Sequence, residues 1–279
     1  MGKTGTIAGN YLRATLILLG FGIFSALVVL LMDALGGGDD PELAKLEMAL
    51  PFLLPTLVLA WILREKPWSQ EGGEVLYLSG RSVLLAILPC ALALQVSASE
   101  LETISRILFP WDDFYQELQR LLQPTGGWLD LLGAILTLAI IGPICEEILV
   151  RRFMMDRMLR AGPVSLAVIY QAFLFALLHL NPWQFFYALP IGILLGLCRI
   201  WSGGIYLPIL LHVLNNGLAV IAMYVWPEMN LSLLPEPEHV PLHFLLPALL
   251  KLGVTIYVFQ KYRIPARPAE PPQTVQTPT

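Results

Sequence analysis

The chain has 279 residues, 56% hydrophobic and only 14% charged, with a formal net charge of -4 and a mean hydropathy of +0.68. That apolar content far exceeds the needs of one soluble core and excludes an ordinary soluble domain. Nothing in it calls for a nucleic-acid partner, and the expected surroundings are a lipid bilayer.

A membrane span needs about 20 mostly apolar residues, and eight stretches qualify, near 11–32, 47–64, 82–98, 128–150, 164–180, 183–201, 204–226 and 241–260. The fold class is therefore an all-α polytopic membrane protein with about eight transmembrane helices. Residues 1–264 read as a single transmembrane domain, and the Pro-rich tail 265–279 is too poor in apolar residues to fold. Of the 17 Lys and Arg, 13 fall in or beside alternate connections that include Arg64, Lys66, Arg81 and the run Arg151 to Arg160. By the positive-inside rule both termini, and the tail, are cytoplasmic, in the inner membrane of a bacterial host. Lys45, Arg106 and Arg120 lie outside, and Lys251 lies within the last span with no acid on the same helix to pair with.

The first span is plain Leu, Ile, Val and Phe, too long for a signal-peptide core and without a cleavage site, so it reads as an anchor. The loop after it, residues 33–47, is Gly-rich and acidic and offers no chemistry. Span two carries Pro51 and Pro55, tolerated where neighbouring helices re-satisfy freed carbonyls. The inner loop 65–80 holds Trp68 and Tyr77, suited to headgroup level. Segment 98–127 reads as the longest outer loop. Within it Phe114, Leu118, Leu121 and Leu122 recur at helical spacing opposite Asp113, Glu117 and Arg120, the pattern of an interfacial helix or a lid.

Span four ends in GPICEEILVRR, which places two adjacent carboxylates, Glu146 and Glu147, at the end of a long apolar run. An ionisable group at membrane depth costs about 2.5 kcal/mol or more on insertion scales, so such residues face a bundle interior and mark function. Pro143 deprives the Ala139 carbonyl of its helical partner and predicts a kink. Glu147 and Arg151 are four apart with the acid first, which suits an intrahelical brace and leaves Glu146, about 100° round the helix, for chemistry. Span five ends in FALLH at 175–179, bringing His179. Span six has Gly192 and Gly196 in a small-xxx-small pattern for close packing, and Pro190 as a kink. Span seven carries His212 and Asn216 on one face, with Asn215 on another, and Pro208 loosening the turn at Gly204. The three cysteines, Cys90, Cys145 and Cys198, all lie in spans without metal-ligand spacing and read as small buried hydrophobes.

Taken together, EEILVR at 146–151, FALLH at 175–179 and HVLNN at 212–216 match E-E-x-x-x-R, F-x-x-x-H and H-x-x-x-N in order, each in an apolar context. The chain here, over about 128–226, resembles the CPBP family of intramembrane proteases, which includes the CAAX prenyl endopeptidases and bacteriocin-processing or immunity relatives of the Abi type. The resemblance implies spans arranged around an intramembrane polar cavity, and hydrolysis of a peptide bond in a membrane-anchored or lipid-modified protein. Carried over by position, Glu146 and His179 would activate the water, His212 and Asn216 would donate to the oxyanion, and Glu147 and Arg151 complete the first motif. One departure stands out: members often have Phe-Arg-Gly around the Arg, where this chain has Val150, Arg151 and Arg152.

The residue types suit that chemistry independently. A carboxylate in a low-dielectric cavity is a competent proton shuttle near neutral pH, and preorganised donors facing an oxyanion are worth about 3 to 4 kcal/mol each. No cofactor is required. Zinc held by Glu146, His179 and His212 is the alternative, but the flanking Leu, Ala, Val and Phe supply few groups to orient the imidazoles. The rivals from other classes are a non-catalytic relative with a chaperone or immunity role and an ion-coupled transporter. Transport predicts an inverted repeat of the spans, which the sequence does not display. A straight reading sets Glu146 near the cytoplasmic end of span four and His179 near the outer end of span five. If Arg151 and Arg152 are buried or snorkel, span four continues to about Arg160 and Glu146 moves towards mid-depth, and a short or tilted span five does the rest.

Overall fold

A computed structural model of the protein describes residues 6–35, 45, 47–64, 80–110, 112–122, 127–225 and 239–261. Among them the chain is helical throughout, with α1 (Ile7–Ala34), α2 (Leu50–Leu63), α3 (Gly80–Leu108), α4 (Asp113–Leu122), α5 (Trp128–Leu159), α6 (Val164–Leu178), α7 (Pro182–Ser202), α8 (Tyr206–Val225) and α9 (Leu242–Lys261). Five of these, α1, α3, α5, α7 and α8, are long and apolar enough to cross a membrane, and α2, α6 and α9 are shorter apolar helices. The expected set of about eight is present. The readings of Trp68, Tyr77 and the tail 265–279 lie outside the described residues.

The apolar sequence decides which face of each helix turns inward. On α1 only Tyr11, Ala14, Ile17, Phe21 and Val28 of the apolar residues are buried, at three- and four-residue spacing, while Leu16, Leu19, Leu27 and Leu30 stay exposed as lipid-facing residues do. On α3 the buried stripe is Ile87, Cys90, Ala91, Leu94 and Ala98. It continues into Thr103, Ser105 and Arg106, all buried, so residues 98–108 are about three more turns of helix and not the start of a loop. The expected loop therefore shortens. Within it α4 forms as the spacing predicts. The side chains of Phe114, Glu117, Leu118, Arg120 and Leu121 lie outside the described set, and Tyr115 and Gln119 are its buried residues. Tyr115 stacks on Trp183 at the start of α7, ring centroids 4.3 Å apart, and the Trp183 indole N–H donates to the Phe109 carbonyl. This ties α4 and the end of α3 to the helix that follows the FALLH motif.

Helix α5 departs most from a regular helix. It runs 32 residues, past the expected end at 150, because Arg151 and Arg152 are buried within the bundle. Two π-helical stretches, Ile135–Ile141 and Ile148–Met155, flank one α-helical turn and a half, Gly142–Glu147. In the first, the Gly142 N–H bonds to the Thr137 carbonyl, five residues back, and a Cβ on Gly142 would sit 3.1 Å from that oxygen. The wider register extends the expected break to a further carbonyl. Five residues ahead of Leu138 is Pro143, which has no N–H, so the Leu138 carbonyl has no helical donor in this register, and Asn216 on α8 donates to it at 3.1 Å.

The connection after α1 also needs correcting. Lys45 is buried and forms an ion pair with Asp130 at the start of α5, and its carbonyl accepts from Thr137 Oγ1 at 2.6 Å. Lys45, in a loop expected to offer no chemistry, thus ties down the first π stretch and the turn before it. Pro208 does not loosen Gly204 either, because α8 begins at Tyr206 and Pro208 sits in its first turn, where no helical N–H bond is lost. Helix α7 continues through Pro190 to Ser202 and stops at Gly203, whose φ of 66° suits glycine.

Candidate functional site

Helices α5, α6, α7 and α8 bring Glu146, Glu147, Arg151 and His212 into one connected cluster, which His179 joins through the Phe175 ring. Glu147 and Arg151 are completely buried and paired at 2.8 Å, as their spacing predicts. A buried guanidinium needs more than one partner, and it has two others. Arg151 Nη2 donates to the Gly192 carbonyl at 3.2 Å, and its carbon lies 4.7 Å from the centre of the Phe175 ring. Gln171 Nε2 donates to the same Gly192 carbonyl at 2.8 Å. The two glycines of α7 make this approach feasible. A Cβ on Gly192 would stand 3.0 Å from Phe175 Cδ1 and 3.1 Å from Ala172 Cα, and one on Gly196 would stand 2.4 Å from Gln171 Nε2.

His212 lies between the two glutamates. Its Nδ1 is 2.9 Å from Glu147 Oε1 and its Nε2 is 3.7 Å from Glu146 Oε2. Glu146 retains some exposure, 12% of its side chain, consistent with the 100° that separates it from the buried Glu147. Asn216 donates one amide hydrogen to Leu138 and keeps the second. Its carbonyl oxygen accepts from Asn215 Nδ2 at 3.3 Å. Asn215 is buried and linked to Asn216, a role its place on another face did not suggest.

His179 caps the end of α6, half-buried. The Asn181 amide satisfies the His179 carbonyl at 2.8 Å while Asn181 Oδ1 caps α7, so a short Asn-Pro turn fixes the residue between two helices. Its Nδ1 is 3.0 Å from the Phe175 carbonyl. A carbonyl only accepts, so Nδ1 carries the proton and Nε2 has a free lone pair. His179 makes no ion pair with Glu146. Phe175 links it to the rest, with its ring edge-on to His179 at 5.2 Å and to His212 at 5.7 Å. The Phe of the F-x-x-x-H pattern is thus the packing hub of the cluster.

Among the described residues no three of His, Cys, Asp and Glu gather as a metal set. The sequence reading also passed over Gln171, a polar residue in an apolar helix that could have been singled out as His179 was. Asp130 gave the same signal. Arg152, which stands where relatives often have Gly, pairs with Asp156 at 2.8 Å, and Asp156 also takes Arg199 at 2.8 Å.

The helices and the buried cluster define the class first: an integral membrane protein with a buried ionic cluster among its helices. Residues 128–218 match the family described as type II CAAX prenyl endopeptidase, Rce1-like, a family of proteases. The match covers α5, α6, α7 and most of α8, the four helices that build the cluster, and agrees with the family resemblance of the three motifs. No curated protein and no solved structure matches the chain.

Proposed function

We propose that the chain is an intramembrane endopeptidase that hydrolyses a peptide bond of a membrane-anchored or lipid-modified protein. Glu146 and His179 activate a water, the first by its partly exposed carboxylate and the second by its free Nε2 lone pair. His212 and the second amide hydrogen of Asn216 serve the oxyanion. The observation that supports this is the position of His212 between a buried, Arg-neutralised Glu147 and a more open Glu146, inside the stretch matched to the CAAX endopeptidases. A prenylated C-terminal peptide is the substrate class that match favours. Both termini are cytoplasmic in this reading, and α4 is on the outer side.

The test compares membranes from cells with and without the protein, scored for unprocessed protein termini, with Glu146→Gln reintroduced in parallel. Wild-type protein restores a set of cleaved termini and Glu146→Gln does not. If Glu146→Gln restores the same phenotype as wild type, a non-catalytic role replaces the hydrolytic one. A cysteine at Asp113, which is exposed, should react with an impermeant reagent in intact cells, and reaction only after permeabilisation would invert the topology.

A further inference from the structure

Glu147 has two partners on a single oxygen. Oε1 is 2.8 Å from Arg151 Nη1 and 2.9 Å from His212 Nδ1, and Oε2 has no hydrogen-bond partner. Because Arg151 is completely buried, its charge requires Glu147 to be ionised, and an ionised carboxylate accepts hydrogen bonds but donates none. His212 Nδ1 must therefore carry the proton that Glu147 receives. A neutral imidazole with its proton on Nδ1 has only a lone pair at Nε2. In that form His212 cannot donate to an oxyanion, and it acquires a donor at Nε2 only by taking a second proton. The acid placed to supply it is Glu146, whose Oε2 is 3.7 Å from Nε2: too far for a resting hydrogen bond and within reach of a small side-chain movement.

We propose that Glu147 is a positioning residue for His212: it pins the imidazole proton on Nδ1 and makes Nε2 the acceptor of the proton that Glu146 takes from water. This rests on the hydrolytic reading above. Water loses a proton to the Glu146 carboxylate while its oxygen bonds to the substrate carbonyl carbon, and the carbonyl π pair moves onto oxygen. Glu146 passes that proton to Nε2, so His212 becomes an imidazolium whose Nε2–H faces the oxyanion. When the tetrahedral intermediate collapses, the C–N bond breaks and the leaving nitrogen takes the proton back by way of Glu146. The products are a carboxyl terminus and an amine, and the site returns to its starting protonation. With the imidazolium formed, two carboxylates are matched by one guanidinium and one imidazolium, so the cluster is neutral towards the negative charge it meets. Proton transfer within the site, and not a charge held at rest, supplies the donor.

The experiment uses full-length protein in lipid nanodiscs, with its four histidines labelled with ¹⁵N and His212 assigned by its loss in His212→Gln. Wild-type protein should show His212 with a protonated Nδ1 and a bare Nε2. In Glu147→Gln the amide presents both a donor and an acceptor, so the two nitrogens of His212 should lose that distinction. Turnover per folded molecule should fall at least about 10²-fold in kcat with little change in KM, as expected when a catalytic histidine loses its orienting carboxylate. A wild-type His212 protonated on Nε2 alone overturns the proposal, as does a Glu147→Gln protein with an unchanged nitrogen signature. Should Glu147→Gln fail to accumulate, the wild-type signature still decides. The nitrogen signature is read without turnover, so an absence of hydrolysis by wild-type protein counts against the proposed function and leaves this inference to the spectrum.

Discussion

Two acid–base clusters sit on α5 within ten residues of each other, and they are built differently. Around Asp156 both carboxylate oxygens are taken, one by Arg152 and one by Arg199. Around Glu147 both partners crowd one oxygen and the other is left bare, while Glu146 stops short of His212. The first cluster closes on itself and ties α5 to α7. The second keeps a bare acceptor oxygen and a 3.7 Å gap between Glu146 and His212. A fully paired carboxylate suits a brace, and one left partly open suits the proton transfer proposed above.

That difference predicts distinct outcomes for substitutions on either side. Glu146→Gln and His179→Ala should each reduce turnover by about 10⁴-fold, the upper range for a lost acid–base group, at unchanged folded yield. Single-turnover cleavage by purified protein measures this, and retention of a tenth of wild-type activity would move either residue out of the reacting centre. Asn216→Ala should lose about 10²- to 10³-fold, as removal of one oxyanion donor does. A loss of thermal stability with turnover per folded molecule intact would mean that its bond to Leu138 is its whole role. Arg151→Ala leaves Glu147 buried and unmatched and should cost about 3 to 5 kcal/mol of stability, seen as reduced folded protein before any kinetic effect. Full stability with no activity would instead place Arg151 among the groups that touch substrate.

The effects on the closed cluster should be smaller. Arg152→Leu leaves Asp156 with Arg199 and should lower stability by about 1 to 2 kcal/mol without altering turnover per folded molecule. A changed substrate preference would show that this cluster reaches the entrance. The smallest expected effect is that of chelation, which should leave activity where it was. Activity abolished by a chelator and restored by stoichiometric zinc would make Glu146, His179 and His212 ligands.

Much of this arrangement was legible from residue order alone. Acids, histidines and an asparagine in otherwise apolar spans are conspicuous, and four-residue spacing was enough to pair Glu147 with Arg151 and to set His212 beside Asn216. The disagreement in depth between Glu146 and His179 pointed correctly to burial of Arg151 and Arg152. The rest escaped because it depends on contacts between helices or on a helical register that is not 3.6 residues per turn. The Leu138 carbonyl was left for Asn216 because the helix widens before Pro143. Lys45 found Asp130 across more than 80 residues of chain, and the tie from His212 to Glu147 joins residues 65 apart. No local pattern encodes either pairing.

The π-helical stretch Ile135–Ile141 also bears on which changes of chain length the protein can accept. Each such widening holds one residue more than a regular helix would. Removing a single residue from it would let α5 relax into an ordinary helix at little cost in backbone bonding, and because the widened turn absorbs the extra residue, everything beyond it would keep nearly the same face. Glu146 and Glu147 would stay towards His212, and the loss would fall on the Leu138 carbonyl that Asn216 now holds. A one-residue deletion here should therefore spare the tie between Glu147 and His212, whereas the same deletion in the regular turn before Glu146 would swing both glutamates by about 100° off that face and leave an inserted, folded and inert protein.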